Sequence, residues 1–402
     1  MPLNIRIKLS LMMFLEFFVW GAWFVTMGTY LSTVLSSSGD EISAAYSTQS
    51  LGAIIAPFFI GLIADRFFSA QRIMAVLHLL GAGLMFFVAQ SGQFSTFFPF
   101  ILLYMIIYMP TLALVNSISF RQMKDPSAEF STIRLWGTIG WIAAGLLVGY
   151  TFQWEAKGIL ENTFYLSAAV SALLGIYSFF LPDTPPVHAG DAKPTMRDIL
   201  GLDALSLLKD KNFLFFFISS ILICIPLAFY YQNANLFLND IGMKNAAGNM
   251  TLGQVSEVFF MLLLPVFIKR FGLKMTLLIG MLAWILRYVL FALGSSGEEM
   301  WMLFSGIILH GICYDFFFVS GQIYTDFKAG EKFKSSAQGL ITLATYGVGM
   351  FIGFWLAGII FDHYADPTGG HDWKHIWLIP AGIATLVMLL YALVFKNEKV
   401  TA

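Results

Sequence analysis

Twelve long apolar runs follow one another along this chain, at 8–34, 43–65, 71–91, 96–119, 131–152, 161–181, 212–238, 249–269, 273–294, 299–324, 335–361 and 374–395. A bilayer core takes about 20 apolar residues per helix, so each run has the length of a membrane span. The runs are continuous rather than alternating, which excludes the strand pattern of an outer-membrane barrel. Hydrophobic residues make up 58% of the chain and charged residues 12%, whereas globular domains run roughly 45–50% apolar and about 25% charged. A chain with so few charges cannot cover a water-facing surface. Soluble globular and disordered proteins are therefore excluded. The net charge of −1 leaves no basic excess to neutralise phosphates, so a nucleic-acid binder is excluded as well. Cys224 and Cys313 lie in apolar runs and form no disulfide framework. The first run is too long for a signal peptide and has no small-residue cleavage site, so it is expected to stay as a helix.

Orientation follows from lysine and arginine, which concentrate on the cytoplasmic side of membrane proteins. With both termini inside, eighteen of the 23 fall in inner segments. Three, Lys157, Lys244 and Lys374, fall outside, and Arg134 and Arg287 sit in or at the edge of runs. This bias favours an even number of helices. Residues 182–211 carry Pro182, Pro185, Pro186 and Pro194 with mixed charge, and such a cluster breaks the membrane pattern. The chain thus divides into an N-terminal six-helix bundle at 1–181, a cytoplasmic linker at 182–211 and a C-terminal six-helix bundle at 212–402. Met196 to Leu208 is weakly amphipathic; lying along the inner surface and being a solvated linker both fit it. The fifth run carries Gly145-x-x-x-Gly149 and the eleventh Gly349-x-x-x-Gly353. Small residues at this spacing let helices approach closely, and their equivalent places suggest an internal repeat.

Ionisable residues inside apolar runs are the most informative positions, because a charge in hydrocarbon costs several kcal/mol and needs a cavity or a partner. Five qualify: Glu16, Arg134, Glu257, Arg287 and Asp315. Two readings fit Glu16: contact with water near the inner helix end or pairing with a cytoplasmic-side arginine, against a functional role. Arg287 reads as snorkelling or bracing the fold. Glu257 and Asp315 are the proton-coupling candidates, since a carboxyl in a low-dielectric cavity can hold a proton near neutral pH. A static helix-to-helix hydrogen-bond network is the alternative.

Polar side chains gather around these charges. Gln254 lies three residues before Glu257, on the same helix face. His310 and Tyr314 are four apart, with Asp315 adjoining. Arg134, Thr138 and Trp141 form one stripe: a cation, a hydroxyl and an aromatic plate. The seventh run holds Tyr230, Tyr231, Gln232, Asn233 and Asn235, and amides both donate and accept, which suits a neutral polar solute. Trp23, Thr26 and Tyr30 add to the first run, and Tyr108, Thr111 and Asn116 to the fourth. Aromatic plates with amides fit a flat heterocycle bearing hydroxyls, or a sugar ring; tyrosines near helix ends also serve as interface anchors.

Gly61-Leu-Ile-Ala-Asp65-Arg66, followed by Arg72, resembles the inner-loop signature of the major facilitator superfamily, with Phe68 in place of its second glycine. A weaker echo lies at Lys269-Arg270-Phe271-Gly272-Leu273-Lys274. In that superfamily the segment is an inner-side charge latch, so Gly61, Asp65, Arg66 and Arg72 are implied to gate or brace. More specific stretches resemble the nucleoside:proton symporter family. They are Trp20-Gly21-Ala22-Trp23, Tyr108-Met109-Pro110-Thr111, Ile133-Arg134-Leu135-Trp136-Gly137-Thr138-Ile139-Gly140, Leu200-Gly201-Leu202-Asp203-Ala204, Gln254-Val255-Ser256-Glu257, Ala283-Trp284-Ile285-Leu286-Arg287, Asp315-Phe316-Phe317 and Ser336-Ala337-Gln338-Gly339.

The resemblance runs in order over nearly the whole chain. It implies the major facilitator fold, all-α with twelve transmembrane helices in two bundles around a central cavity. It also implies that Arg134, Thr138, Gln254 and Glu257 line a nucleoside site, that Trp141 stacks on the ligand and that Asp315 is functional. His310 and Tyr314 depart from a close relative's tyrosine and phenylalanine, and the seventh-run amides do not register with the family's, which leaves base preference open.

The resulting expectation is a monomeric, multi-pass inner-membrane symporter importing nucleosides with protons by alternating access. It is driven by the proton gradient and has no cofactor or metal. Its substrate set is Arg134, Thr138, Trp141, Gln232, Asn233, Asn235, Gln254, Glu257, His310 and Tyr314. A sugar:proton symporter is the nearer rival and a non-transporting receptor the remoter one. An enzyme is not expected, because no nucleophile, metal or phosphate motif is present.

Overall fold

The computed structural model describes residues 1–59, 68–124, 126–185, 202–366 and 370–398; the side chains of 57–59, 126–128, 202–203 and 331–336 are not among those described. Gly61, Asp65 and Arg66 lie outside the described residues. Among the described residues the structure is helical, with one isolated bridge between Ala365 and His371 as its single β pairing. A helix satisfies its backbone polar groups internally, which hydrocarbon demands.

The helices in chain order are α1 (Leu3–Gly21), α2 (Met27–Thr33), α3 (Gly39–Phe59), α4 (Ala70–Ala89), α5 (Phe94–Arg121), α6 (Pro126–Leu146), α7 (Trp154–Lys157) and α8 (Glu161–Ser178). After the 3-10 turn Leu202–Lys209 come α9 (Lys211–Asp240), α10 (Ala246–Leu293), α11 (Met300–Ile308), α12 (His310–Tyr314), α13 (Ser320–Thr342), α14 (Met350–His363) and α15 (Trp373–Val394). Eight helical segments of the described residues are long and apolar enough to cross a membrane. Helix α1 is 19 residues long but carries Arg6, Lys8 and Glu16, which keeps it out of that set. Helix α10 runs for 48 residues and breaks at Gly272, whose φ of 78° is non-helical; glycine takes that conformation without a Cβ penalty. The first apolar run is likewise not one helix, because a turn at 22–26 separates α1 from α2.

Many large apolar side chains face outward, among them Leu262, Leu386 and Leu393, the last 85% exposed. An apolar exterior of that kind suits lipid rather than water. The helices begin where polar caps permit. The Asp210 carboxylate accepts from the Phe213 N–H at the start of α9, and Asp372 does the same for His375 at the start of α15.

Two compact units are present. Unit 1 comprises Met1–Ser37, Ala44–Thr195 and Asn245–Thr251; unit 2 comprises Ser38–Ser43, Met196–Lys244 and Leu252–Ala402. The core of unit 1 joins α1, α4, α5, α6 and α8 through Met12, Met74, Val115, Ile133 and Leu174. Within unit 1, Gly145 abuts the Thr251 methyl and Gly149 the backbone of Gly248. Within unit 2, Gly349 and Gly353 abut Cys224, Ile225 and Ala228 of α9. Both glycine pairs therefore mark close backbone approaches.

Candidate functional site

In unit 2 the central group is Arg287, on the second leg of α10. It is fully buried. Its guanidinium carbon lies 3.4 Å from the centroid of the Tyr230 ring on α9, a cation–π contact. Its Nη1 is 3.0 Å from His310 Nδ1. A guanidinium has donors only, so Nδ1 must accept, and the His310 proton sits on Nε2. That nitrogen points toward Glu257, whose Oε2 is 3.8 Å away. The His310 ring also stacks on Tyr230, with centroids 5.4 Å apart. Four side chains from three helices thus form one chain of contacts: Tyr230, Arg287, His310 and Glu257.

This arrangement corrects one expectation. The snorkelling half of the Arg287 reading fails, because an aromatic face and an imidazole hold the residue inside the protein, contacts that fit its bracing half.

Glu257 and Gln254 are both half-buried, one turn apart on the first leg of α10. Gly311 lets α12 approach that leg: a Cβ there would come within 2.5 Å of the Glu257 backbone nitrogen. The Ser256 hydroxyl donates to the Ile308 carbonyl at 2.6 Å and accepts from the Gly311 N–H at 3.0 Å. Tyr314 shares a hydrogen bond with Tyr346, oxygen to oxygen 2.6 Å. Asp315 begins a π-helical turn, Asp315–Val319, a geometry common at functional positions. It is fully buried, and neither of its oxygens has a hydrogen-bond partner among the described residues.

The three amides of α9 are buried and differ in their bonding. Gln232 exchanges hydrogen bonds with the Ser43 hydroxyl, at 3.4 Å from Oε1 and 3.2 Å from Nε2. Asn235 accepts from the Asn239 amide at 3.3 Å. Neither amide atom of Asn233 has a partner among the described residues. A buried polar group without a partner calls for an explanation.

In unit 1 the stripe on α6 is intact. The Arg134 guanidinium stands 4.2 Å over the Phe17 ring. Trp141 packs edge-on against Trp20 of α1, with centroids 5.4 Å apart. Its ring lies close enough to Gly21 that a Cβ there would be only 3.0 Å away. Arg134, Thr138 and Trp141 are all half-buried. Arg72 is exposed in the first turn of α4.

A family model for the nucleoside H+ symporter matches residues 3–400. The chain belongs to the nucleoside H+ symporter family. It is a proton-coupled nucleoside transporter and not an enzyme. It is 47% identical over 401 residues to the Escherichia coli (strain K12) protein YegT, covering 97% of this chain and 94% of that one. It is 33% identical over 416 residues to the nucleoside permease NupG of the same organism, covering 99% and 97%. The crystal structure of nucleoside transporter NupG superposes with a TM-score of 0.87 at 32% identity, covering 98% of this chain and all of that one.

Three participants in these nucleoside-symporter contacts escape sequence reasoning. Tyr346 and Ser43 look like ordinary polar residues of helices. His78, in the third apolar run, carries the one available signal, an ionisable ring among apolar neighbours. It pairs with Glu16 at 2.8 Å from Nε2 to Oε2. This corrects both bland readings of Glu16, which is sealed from water and has a histidine rather than an arginine as its partner.

Proposed function

We propose that the chain imports nucleosides with protons across the inner (cytoplasmic) membrane by rocker-switch alternating access. It does so as a monomer of twelve transmembrane helices with both termini in the cytoplasm. The membrane spans are α1 with α2, α3, α4, α5, α6 and α8 in the first bundle. In the second they are α9, the two legs of α10 on either side of Gly272, α11 to α13, α13 to α14, and α15. The bundles are 1–181 and 212–402, joined by a linker at 182–211. The existence of two compact units supports that division. The driving force is the proton gradient, and no bound cofactor takes part.

The observation that carries the site assignment is the contact chain Arg287–His310–Glu257. Glu257 exchanges the proton and, with Gln254, hydrogen-bonds the nucleoside. His310, fixed in its Nε2–H tautomer by Arg287, supplies a donor toward the Glu257 carboxylate. Asp315 is the second proton-coupling carboxyl. Arg134 and Thr138 hydrogen-bond the ligand, Trp141 and Tyr314 stack on it, and Gln232, Asn233 and Asn235 recognise its hydroxyls and base edge. Gly61, Asp65, Arg66 and Arg72 form the inner-side gate. Asn233, with both amide atoms unpartnered among the described residues, is the amide best prepared to take a ligand.

The test is uptake of labelled uridine and adenosine into proteoliposomes with and without an inward proton gradient. The expected result is accumulation of at least one of them above equilibrium only with the gradient. Absence of gradient-driven accumulation of both, in protein that binds neither, would overturn the reading.

A further inference from the structure

Unit 1 holds a buried acid–base pair that the assignments above do not use. Glu16 of α1 is 0% exposed and His78 of α4 is 2% exposed. Four helices converge on them. His78 Nε2 meets Glu16 Oε2 at 2.8 Å. The Thr111 hydroxyl of α5 lies 2.6 Å from Glu16 Oε1 and 2.5 Å from the Tyr108 carbonyl. The Ser171 hydroxyl of α8 lies 3.1 Å from His78 Nδ1 and 2.9 Å from the His78 carbonyl. The other titratable groups that face the pair are Tyr108, which donates to the Glu16 carbonyl at 2.9 Å, and Tyr104 of α5.

Each flanking hydroxyl has one proton and two possible acceptors, and this makes the cluster a two-state device. With Ser171 donating to the His78 carbonyl, Nδ1 must carry a proton. The 2.8 Å contact then holds one further proton, on Nε2 or on Oε2, and the pair is neutral overall. When the Nδ1 proton leaves, the contact proton stays as Nε2–H facing the carboxylate, Ser171 turns to donate to Nδ1 and Thr111 donates to Oε1. The pair then carries one negative charge. Every polar atom of the pair keeps a partner in both states, and no backbone has to move. A pair that served only as a brace needs one such arrangement, and buried ion pairs are poor stabilisers in themselves.

The pair also connects to the stripe proposed to hold the ligand. Trp20, one turn beyond Glu16, packs edge-on against both Tyr108 and Trp141. Phe17, next to Glu16, carries the Arg134 guanidinium on its ring.

We propose that Glu16 and His78 form a further proton-binding site of the transport cycle, located in unit 1 and separate from Glu257 and Asp315, whose occupancy acts on the nucleoside through Tyr108, Trp20 and Trp141. The pair is sealed from water in this structure, so the proton is taken up from water at one stage of the cycle and returned to water at another, in states that open the pair to solvent; no covalent bond changes. The proposal rests on the proton-coupled nucleoside reading above.

The experiment measures proton-to-nucleoside ratios in proteoliposomes, from the pH gradient at which net uridine or adenosine flux reverses, for the unaltered protein, E16Q and H78Q. The expected result is that both variants keep counterflow within about threefold, while the ratio falls by one proton. Steady-state accumulation then falls about tenfold per unit of pH gradient. An unchanged ratio in a variant that retains counterflow overturns the proposal. If neither variant folds, infrared difference spectra of the unaltered protein with and without nucleoside carry the test, using ring-labelled histidine. A buried imidazole that changes protonation supports the site, and silent histidine bands overturn it. Failure of the unaltered protein to exchange nucleosides would instead overturn the transport reading.

Discussion

Arg287 holds His310 by a 3.0 Å contact from guanidinium Nη1 to imidazole Nδ1, and this contact decides which imidazole nitrogen faces Glu257. Lysine at 287 would keep the charge but lose the planar fork and the stacking on Tyr230. A lost charge-assisted hydrogen bond is worth about 1.5–3 kcal/mol, so R287K is expected to reduce nucleoside uptake at least tenfold. Initial rates in proteoliposomes check this; a variant with unaltered rates would remove Arg287 from the site.

Glu257 is the carboxyl that His310 Nε2 faces. E257Q keeps the shape and a hydrogen-bonding group but cannot release a proton. It is expected to abolish accumulation against a gradient while leaving measurable counterflow. Comparing the two assays on one preparation separates coupling from binding, and full accumulation by E257Q would falsify the coupling role.

Asp315 makes no hydrogen bond among the described residues. Its replacement therefore forfeits no bond and relieves the cost of burying a carboxyl without a partner. D315N is expected to melt at or above the temperature of the unaltered protein while proton-driven accumulation falls at least tenfold. A clear drop in melting temperature would show that Asp315 is structural.

Gly311 permits the approach of α12 to the first leg of α10. A methyl group there collides with backbone rather than with a movable side chain. G311A is expected to cost about 1–3 kcal/mol, the usual range for overpacking, and to weaken transport by displacing neighbouring His310. Thermal melting in detergent and uptake rates report the two effects.

Beside the start of α9, Lys328 bonds Asp210 at 2.9 Å and Glu398 at 2.8 Å. Its ammonium group holds the Asp210 carboxyl below its ordinary value. A depressed acid stabilises the fold fully above its unfolded pKa of about 3.9 and loses that contribution as pH falls through the lowered folded value. Asp210 is half exposed, so the effect is under about 1 kcal/mol. Melting temperatures from pH 7 down to pH 3 should show a shallower acid-side decline in D210N, and an identical profile would count against the pairing.

Much of the candidate site was legible in single residues. Glu257, His310 and Asp315 stand out because charge and imidazole are costly in hydrocarbon, and the structure places the first two in contact. The same rule flagged Glu16 and Arg287 but could not assign their partners. His78 lies 62 positions from Glu16, and His310 lies 23 from Arg287. No local periodicity reports such pairs.

The amides of α9 looked equivalent in sequence, all three on one stretch of helix. Packing separates them: Ser43 engages Gln232, whereas Asn233 has no partner among the described residues.

The sequence by itself determined that this chain lies in a membrane, that it is helical, and which family it resembles. Those properties follow from the local cost of putting backbone and charge into hydrocarbon, summed along the chain. Only the tertiary structure decided which charges meet. It paired Glu16 with His78, turned Arg287 inward onto Tyr230 and His310, and left Asp315 without a hydrogen bond among the described residues. The physical reason is that partner choice depends on which helix faces pack together, and that is set in part by residues such as Gly311 and Gly21, whose lack of a side chain lets a neighbour come close.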